Sequence, residues 1–86
     1  MAYAVYLRSA AERERRRLQD PIRQRINQHL LYLESEPRPL GVEKLVGHPN
    51  SWRVRVGDYR ILYEIDDANQ RVTVFRLAHR RDAYRS

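Results

Sequence analysis

The chain has 86 residues, no cysteine and a formal net charge of +6, from 17 basic and 11 acidic side chains. That length suits one domain spanning 1–86 that buries roughly 60 to 65 % of its unfolded surface, and the lack of cysteine excludes disulfides, thiol catalysis and thiolate metal sites. No apolar run approaches the ~20 residues of a membrane span and no signal-peptide pattern opens the chain, so a soluble, cytoplasmic protein with a polyanionic or acidic partner is expected.

The first β-prone run is Tyr3 to Leu7. Ser9-Ala10-Ala11-Glu12 then has the spacing of a capping box, which predicts a helix starting near Ser9. Within that helix Glu12 and Glu14 alternate with the run Arg15-Arg16-Arg17, the pattern of an exposed face. A second start is written as Asp20-Pro21, a cap residue followed by proline at a position where its missing N–H costs nothing. Ile22, Ile26, Leu30 and Leu33 recur at helical spacing and predict a stripe that packs on a sheet. Pro37 and Pro39 end it, and residues 37–51 read as an irregular connection with a small apolar patch at Leu40, Val42, Leu45 and Val46. Three strands are predicted next, at about 52–56, 59–65 and 71–78, the last two joined by the acidic turn Asp66-Asp67-Ala68-Asn69. The remainder, from His79, reads as a polar tail lying against the sheet.

This order, β-α-α-β-β-β, predicts an α+β fold in which two N-terminal helices pack on one face of a small, mostly antiparallel four-stranded sheet. The other face is then open. Alternation places Trp52, Val54 and Val56 on the covered side and Arg53 and Arg55 on the open side, and a hairpin through Gly57-Asp58 returns Arg60 to the same open side. With Phe75 and Leu77 in the core, Arg76, Ala78 and Arg80 would extend that cationic surface. All the basic residues except Lys44 are arginine, whose planar fork binds phosphate bidentately, although genome base composition produces the same bias. Tyr3, Tyr6, Tyr32, Tyr59 and Tyr63 are expected in or beside the core. Glu64 is expected to pair with a neighbouring arginine, His29 and His48 read as packing or loop residues, and no histidine–carboxylate spacing suggests a metal site.

Arg53, Arg55, Arg60, the cluster His79-Arg80-Arg81 and Tyr84 are the residues that could serve phosphodiester chemistry. A guanidinium stays protonated and stabilises charge without acting as a base. Histidine is the residue type that transfers protons near neutrality, which makes His79 the candidate base, and a tyrosine at position 84 could stack on a nucleobase. From the residues alone, the chain reads as a basic α+β nucleic-acid-binding domain.

Three segments carry a resemblance: Lys44-Leu45 with Gly47, Trp52-Arg-Val-Arg-Val-Gly-Asp-Tyr-Arg-Ile-Leu-Tyr-Glu-Ile65, and His79-Arg-Arg-Asp-Ala-Tyr-Arg85. Together they resemble the RelE branch of the RelE/ParE toxin superfamily over nearly the whole chain. The resemblance implies the toxin of a type II toxin–antitoxin module, an mRNA interferase that cuts codons in the ribosomal A site by 2′-OH attack on the scissile phosphate. It implies no cofactor or metal, and as partners a cognate acidic antitoxin, the ribosome with its rRNA, and mRNA. Arg60 would contact the scissile phosphate, Arg80 would stabilise the transition state or leaving group, and Tyr84 would stack on the substrate. Arg53, Arg55, Arg76, Arg81 and Arg85 would bind flanking phosphates. Arg53 and Arg55 stand where relatives have lysines, one of them proposed as the base. Arginine cannot take that role, so the base is His79 or is contributed by the ribosome. The alternatives are a ParE-like gyrase poison and an inactive basic module that only binds RNA or protein.

Overall fold

The structure, a computed structural model, describes residues 2–81. Strand β1 (Ala4–Leu7) is followed by helices α1 (Ser9–Arg17) and α2 (Asp20–Ser35), then by β2 (Glu43–Lys44), β3 (Ser51–Val56), β4 (Tyr59–Asp66) and β5 (Arg71–His79). They form one five-stranded sheet in the order β1-β5-β4-β3-β2, antiparallel throughout except for the parallel β1–β5 pair. The α+β class and element order agree with the sequence reading, and the strand count is corrected from four to five. The additional strand is the two-residue β2, inside the stretch read as irregular. Two residues cannot display an alternation, and Lys44 becomes a strand residue only by pairing with Trp52.

Both helix starts differ in detail from expectation. Arg8 and Gln19 are the N-cap residues, and neither makes a side-chain capping bond. Ser9 therefore forms no capping box. The Glu12 carboxylate turns to Arg15, accepting from Nε at 2.8 Å and Nη2 at 2.7 Å, and also to Arg16. Asp20 lies inside α2 and pairs with Arg23.

The helices bury the predicted stripe. Ile26, Leu30 and Leu33 of α2, with Ala11 and Leu18, form one core with Val54, Val56, Ile61, Tyr63, Ile65, Val72, Val74 and Leu77, while Ile22 packs at its margin. Each such aliphatic side chain contributes roughly 1.5–3 kcal/mol on burial. Tyr6 and Tyr32 do not join this core as expected and are exposed, whereas Tyr63 is fully buried. The Tyr63 phenol donates to the Pro37 carbonyl at 2.8 Å, tying the connection after α2 to the centre of the sheet. Burial pushes that phenol well above its ordinary pKa. Nearby, Arg38 holds Asp67 through two bonds of 3.2 and 2.8 Å, Tyr3 donates to the same carboxylate at 2.6 Å, and the Arg38 guanidinium lies 5.2 Å from the Trp52 ring centre. The predicted apolar patch splits: Val42 packs on the main core and Leu45 on the opposite face, while Leu40 and Val46 are exposed. No helix among the described residues is long and apolar enough to cross a membrane.

Strict alternation fails in β5. Leu62 pairs with Arg76 but Tyr63 pairs with Val74, leaving Phe75 as an extra residue in a β-bulge. Inward positions are therefore Val72 and Val74 before the bulge and Leu77 after it. Phe75 does not enter the main core as expected: it packs with Leu62, Ala78 and Leu45 as a second apolar cluster on the other face.

Two stability effects follow. Tyr63→Phe leaves the Pro37 carbonyl without its donor and should cost about 1–3 kcal/mol in urea unfolding. Arg15 holds the Glu12 carboxyl down from 4.5 to about 2. A depressed carboxyl stabilises the fold above its unfolded pKa and ceases to do so as pH falls through its folded one. Stability should therefore decline between about pH 4.5 and 2, and Glu12→Gln should flatten that decline in unfolding curves taken across the interval.

Candidate functional site

Cross-strand register decides which side chains share the open face. Arg55 pairs with Arg60 and Arg60 with Ala78, so the three form one row across β3, β4 and β5. The next row holds Arg53, Leu62 and Arg76, and the one after it Ser51, Glu64 and Thr73. The face is thus arginine-rich at the end carrying the β3–β4 turn.

That turn is formed by Gly57 and Asp58, between the paired residues Val56 and Tyr59. Gly57 has φ of +60°, a conformation that favours glycine, and a Cβ there would stand 3.3 Å from an Arg25 guanidinium nitrogen. Arg55 Nε donates to the Gly57 carbonyl at 3.0 Å. Arg80, just past β5, is brought to the same corner: its backbone N–H donates to the Asp58 carbonyl at 2.7 Å, and its guanidinium lies 3.9 Å from the Asp58 carboxylate. Arg55, Arg60 and Arg80 thus meet at one end of the sheet, although 20 residues separate the last two in sequence. Arg25 of α2 reaches this end as well, a neighbour that helical periodicity gave no reason to suspect.

The remaining candidates are distributed differently. Arg53 is partly buried on the open face, with Glu43 of β2 3.4 Å away. Arg76 leaves that face: its Nε donates to Glu14 of α1 at 2.9 Å. The same carboxylate accepts the Leu77 backbone N–H at 2.7 Å, satisfying the edge of β5 beyond the end of β1. His79 does not join the arginine face. It follows Leu77 by two residues and so shares Leu77's side of the sheet, with its ring edge-to-face against Tyr59 at 5.2 Å. Its Nδ1 accepts the Arg81 backbone N–H at 3.3 Å, and the Arg81 side chain is exposed. Counting from Leu77 would have revealed the orientation of His79. Tyr84 and Arg85 lie outside the described residues.

Further along the open face, beyond the arginine end, lies a cleft of about 590 Å³ whose floor is Leu45, Leu62 and Phe75. His48 and Arg53 line it, and Glu64 bonds Arg8 at 2.9 Å on its margin, the arginine partnership expected for this carboxylate. His29, half-buried on α2, is held below its ordinary pKa by burial and by Arg25. No group of three or more His, Cys, Asp or Glu among the described residues could hold a metal ion.

The helix-backed sheet has the fold of solved RelE toxins. The chain superposes on the toxin of the archaeal RelE–RelB complex from Pyrococcus horikoshii with a TM-score of 0.83 and 27% identity, covering 93% of this chain and 97% of that one. For the RelBE2 complex of Mycobacterium tuberculosis the TM-score is 0.81 and identity 27%, with 92% and 99% covered. For the intact Escherichia coli RelBE complex the values are 0.80 and 25%, with 91% and 96% covered. A comparison with curated proteins found no match. The family model for the ParE toxin of the type II toxin–antitoxin system parDE matches residues 5–84. The chain belongs to this family, within the RelE/ParE superfamily, and is a RelE-type toxin.

The Glu14 contacts yield a local expectation. Glu14→Ala strips the donors of Leu77 and Arg76 of their acceptor and should lower stability by about 1–3 kcal/mol. It should also speed amide exchange at Leu77 more than at Ile61, as hydrogen-exchange NMR would show.

Proposed function

We propose that this toxin is a ribosome-dependent mRNA endoribonuclease that cuts A-site codons and so inhibits translation. The carrying observation is the meeting of Arg55, Arg60 and Arg80 at one end of the open face. Cleavage by 2′-OH attack builds negative charge on the phosphate oxygens and the 5′-leaving oxygen, and fixed guanidiniums directed there stabilise it. In this reading Arg60 contacts the scissile phosphate and Arg80 the leaving side. Arg53 and Arg55 hold flanking phosphates, Arg81 and Arg85 extend that track, and Tyr84 stacks on a base. Arg76, engaged by Glu14, serves the scaffold.

With His79 packed on Tyr59, the 2′-OH proton is assigned to a group of the ribosome. That assignment fits a requirement for the ribosome, which supplies both the base and the substrate geometry that an open face lacks. The partner in the resting state is an acidic antitoxin that neutralises the arginine end, a reading supported by RelB's presence in the complexes of similar toxins. Toxin, ribosome and antitoxin would meet in the cytoplasm. A second reading, a gyrase poison, is favoured by the ParE name of the matching family model.

Arg60→Ala and Arg80→Ala should each slow ribosome-dependent mRNA cleavage by about 10²–10³-fold, the scale of losing one oxyanion donor. His79→Gln should slow it less than ~10-fold, whereas a general acid–base role predicts a loss of about 10²-fold or more. Primer extension on translated mRNA reads both effects. Intact mRNA with gyrase-linked DNA breaks on induction would instead establish the gyrase reading.

A further inference from the structure

The cleft floored by Leu45, Leu62 and Phe75 is separate from the arginine corner and has a different chemistry. Leu62, on its floor, lies two residues, roughly 7 Å, along β4 from Arg60. That step is on the scale of one nucleotide. Arg53 belongs to the cleft and to the cationic face at once, so a strand whose phosphate sits at Arg60 would pass directly over it.

We infer that this cleft is a nucleobase subsite that selects guanine, with Phe75 as its stacking surface and the Glu64–Arg8 pair as its reading edge. The inference rests on the RNA-binding function proposed above and adds to it a determinant of sequence preference. Three observations support it. The floor is apolar and includes an aromatic ring, which suits the face of an unstacked base. An ionised Glu64 is acceptor-only, and guanine presents two adjacent donors, N1–H and N2–H, to its two oxygens. Arg8 Nη2, 2.9 Å from Glu64 Oε1, places a donor beside that acceptor, where guanine carries O6. Uracil offers one donor, N3–H, between two oxygens, so one carboxylate oxygen meets an acceptor, while cytosine and adenine offer a single amino group there; each makes fewer bonds to Glu64 than guanine.

The existing ion pair does not block the site. Its side chains are 62% and 43% exposed, and a surface pair of this kind contributes little net stability, so a base can take over both partners. Beyond Glu64 lies a polar hollow lined by Asn50, Asp66, Asp67, Arg71 and Thr73.

Binding of short, non-cleavable 2′-O-methyl RNAs to the full-length toxin, followed by NMR, separates this inference from the nuclease reading. A strand with one guanine should bind about 10-fold more tightly than the same strand with uracil, the lower part of the range for a good bidentate contact, and should shift the signals of Leu45, Leu62 and Phe75. Glu64→Gln should abolish the preference, and Phe75→Ala should weaken all strands by about 10-fold. Equal affinity for the four bases overturns the inference, as do shifts confined outside the cleft, an unchanged preference in Glu64→Gln, or no binding of any strand. A guanine preference in a toxin that leaves ribosomal mRNA uncut would refute the nuclease reading alone.

Discussion

The register of the β3–β4–β5 pairing is the constraint on which the rest of this molecule depends. Val54, Ile61 and Leu77 occupy one row on the helix side, and the adjacent row on the open side holds Arg55, Arg60 and Ala78. A slip of one residue would send Ile61 to solvent and Arg60 into the core. Burial of Ile61, Tyr63 and Ile65 beneath the helices therefore holds the arginines in place. Packing energy on one side of the sheet becomes positional order on the other.

The sheet is also polarised along its strands. β4 runs from Arg60 at the hairpin end, past Glu64, to Asp66 and the acidic turn, where Asp67 is tied down by Arg38 and Tyr3. Those contacts fasten the connection after α2 to the acidic end, and the buried Tyr63–Pro37 bond anchors it from beneath. At the basic end, Arg80 is held to Asp58 by one backbone bond and a long, exposed ion pair, and Arg55 bonds the Gly57 carbonyl. Carboxylates thus gather at one end of β4 and guanidiniums at the other, a division suited to a scaffold that offers guanidiniums to an external phosphate.

Much of this was legible in local patterns. The i, i+4 spacing of Ile22, Ile26 and Leu30 and the alternation from Trp52 to Val56 each reflect a single element meeting a single apolar layer, so the residues themselves record which side is buried. The pairing of Arg55 with Arg60 was readable because a two-residue turn fixes hairpin register. The capping box at Ser9 did not form, because the Glu12 carboxylate is taken up by Arg15 instead of a backbone amide. The bulge at Phe75, the two-residue strand β2 and the closure of the β5 edge by Glu14 left no local trace. Each arises from a partner distant in sequence.

By itself, then, the sequence determined the α+β class, the two helices, the three long strands and the presence of Arg53, Arg55 and Arg60 on one surface, because periodicity and hairpin geometry are properties of neighbouring residues. The tertiary structure alone decided that Arg76 turns to Glu14 and that Phe75 floors a cleft. These outcomes depend on where β5 inserts its extra residue and on what borders its edge. Both are fixed by packing between segments up to 63 residues apart, as with Glu14 and Leu77, and no local pattern encodes a contact of that range.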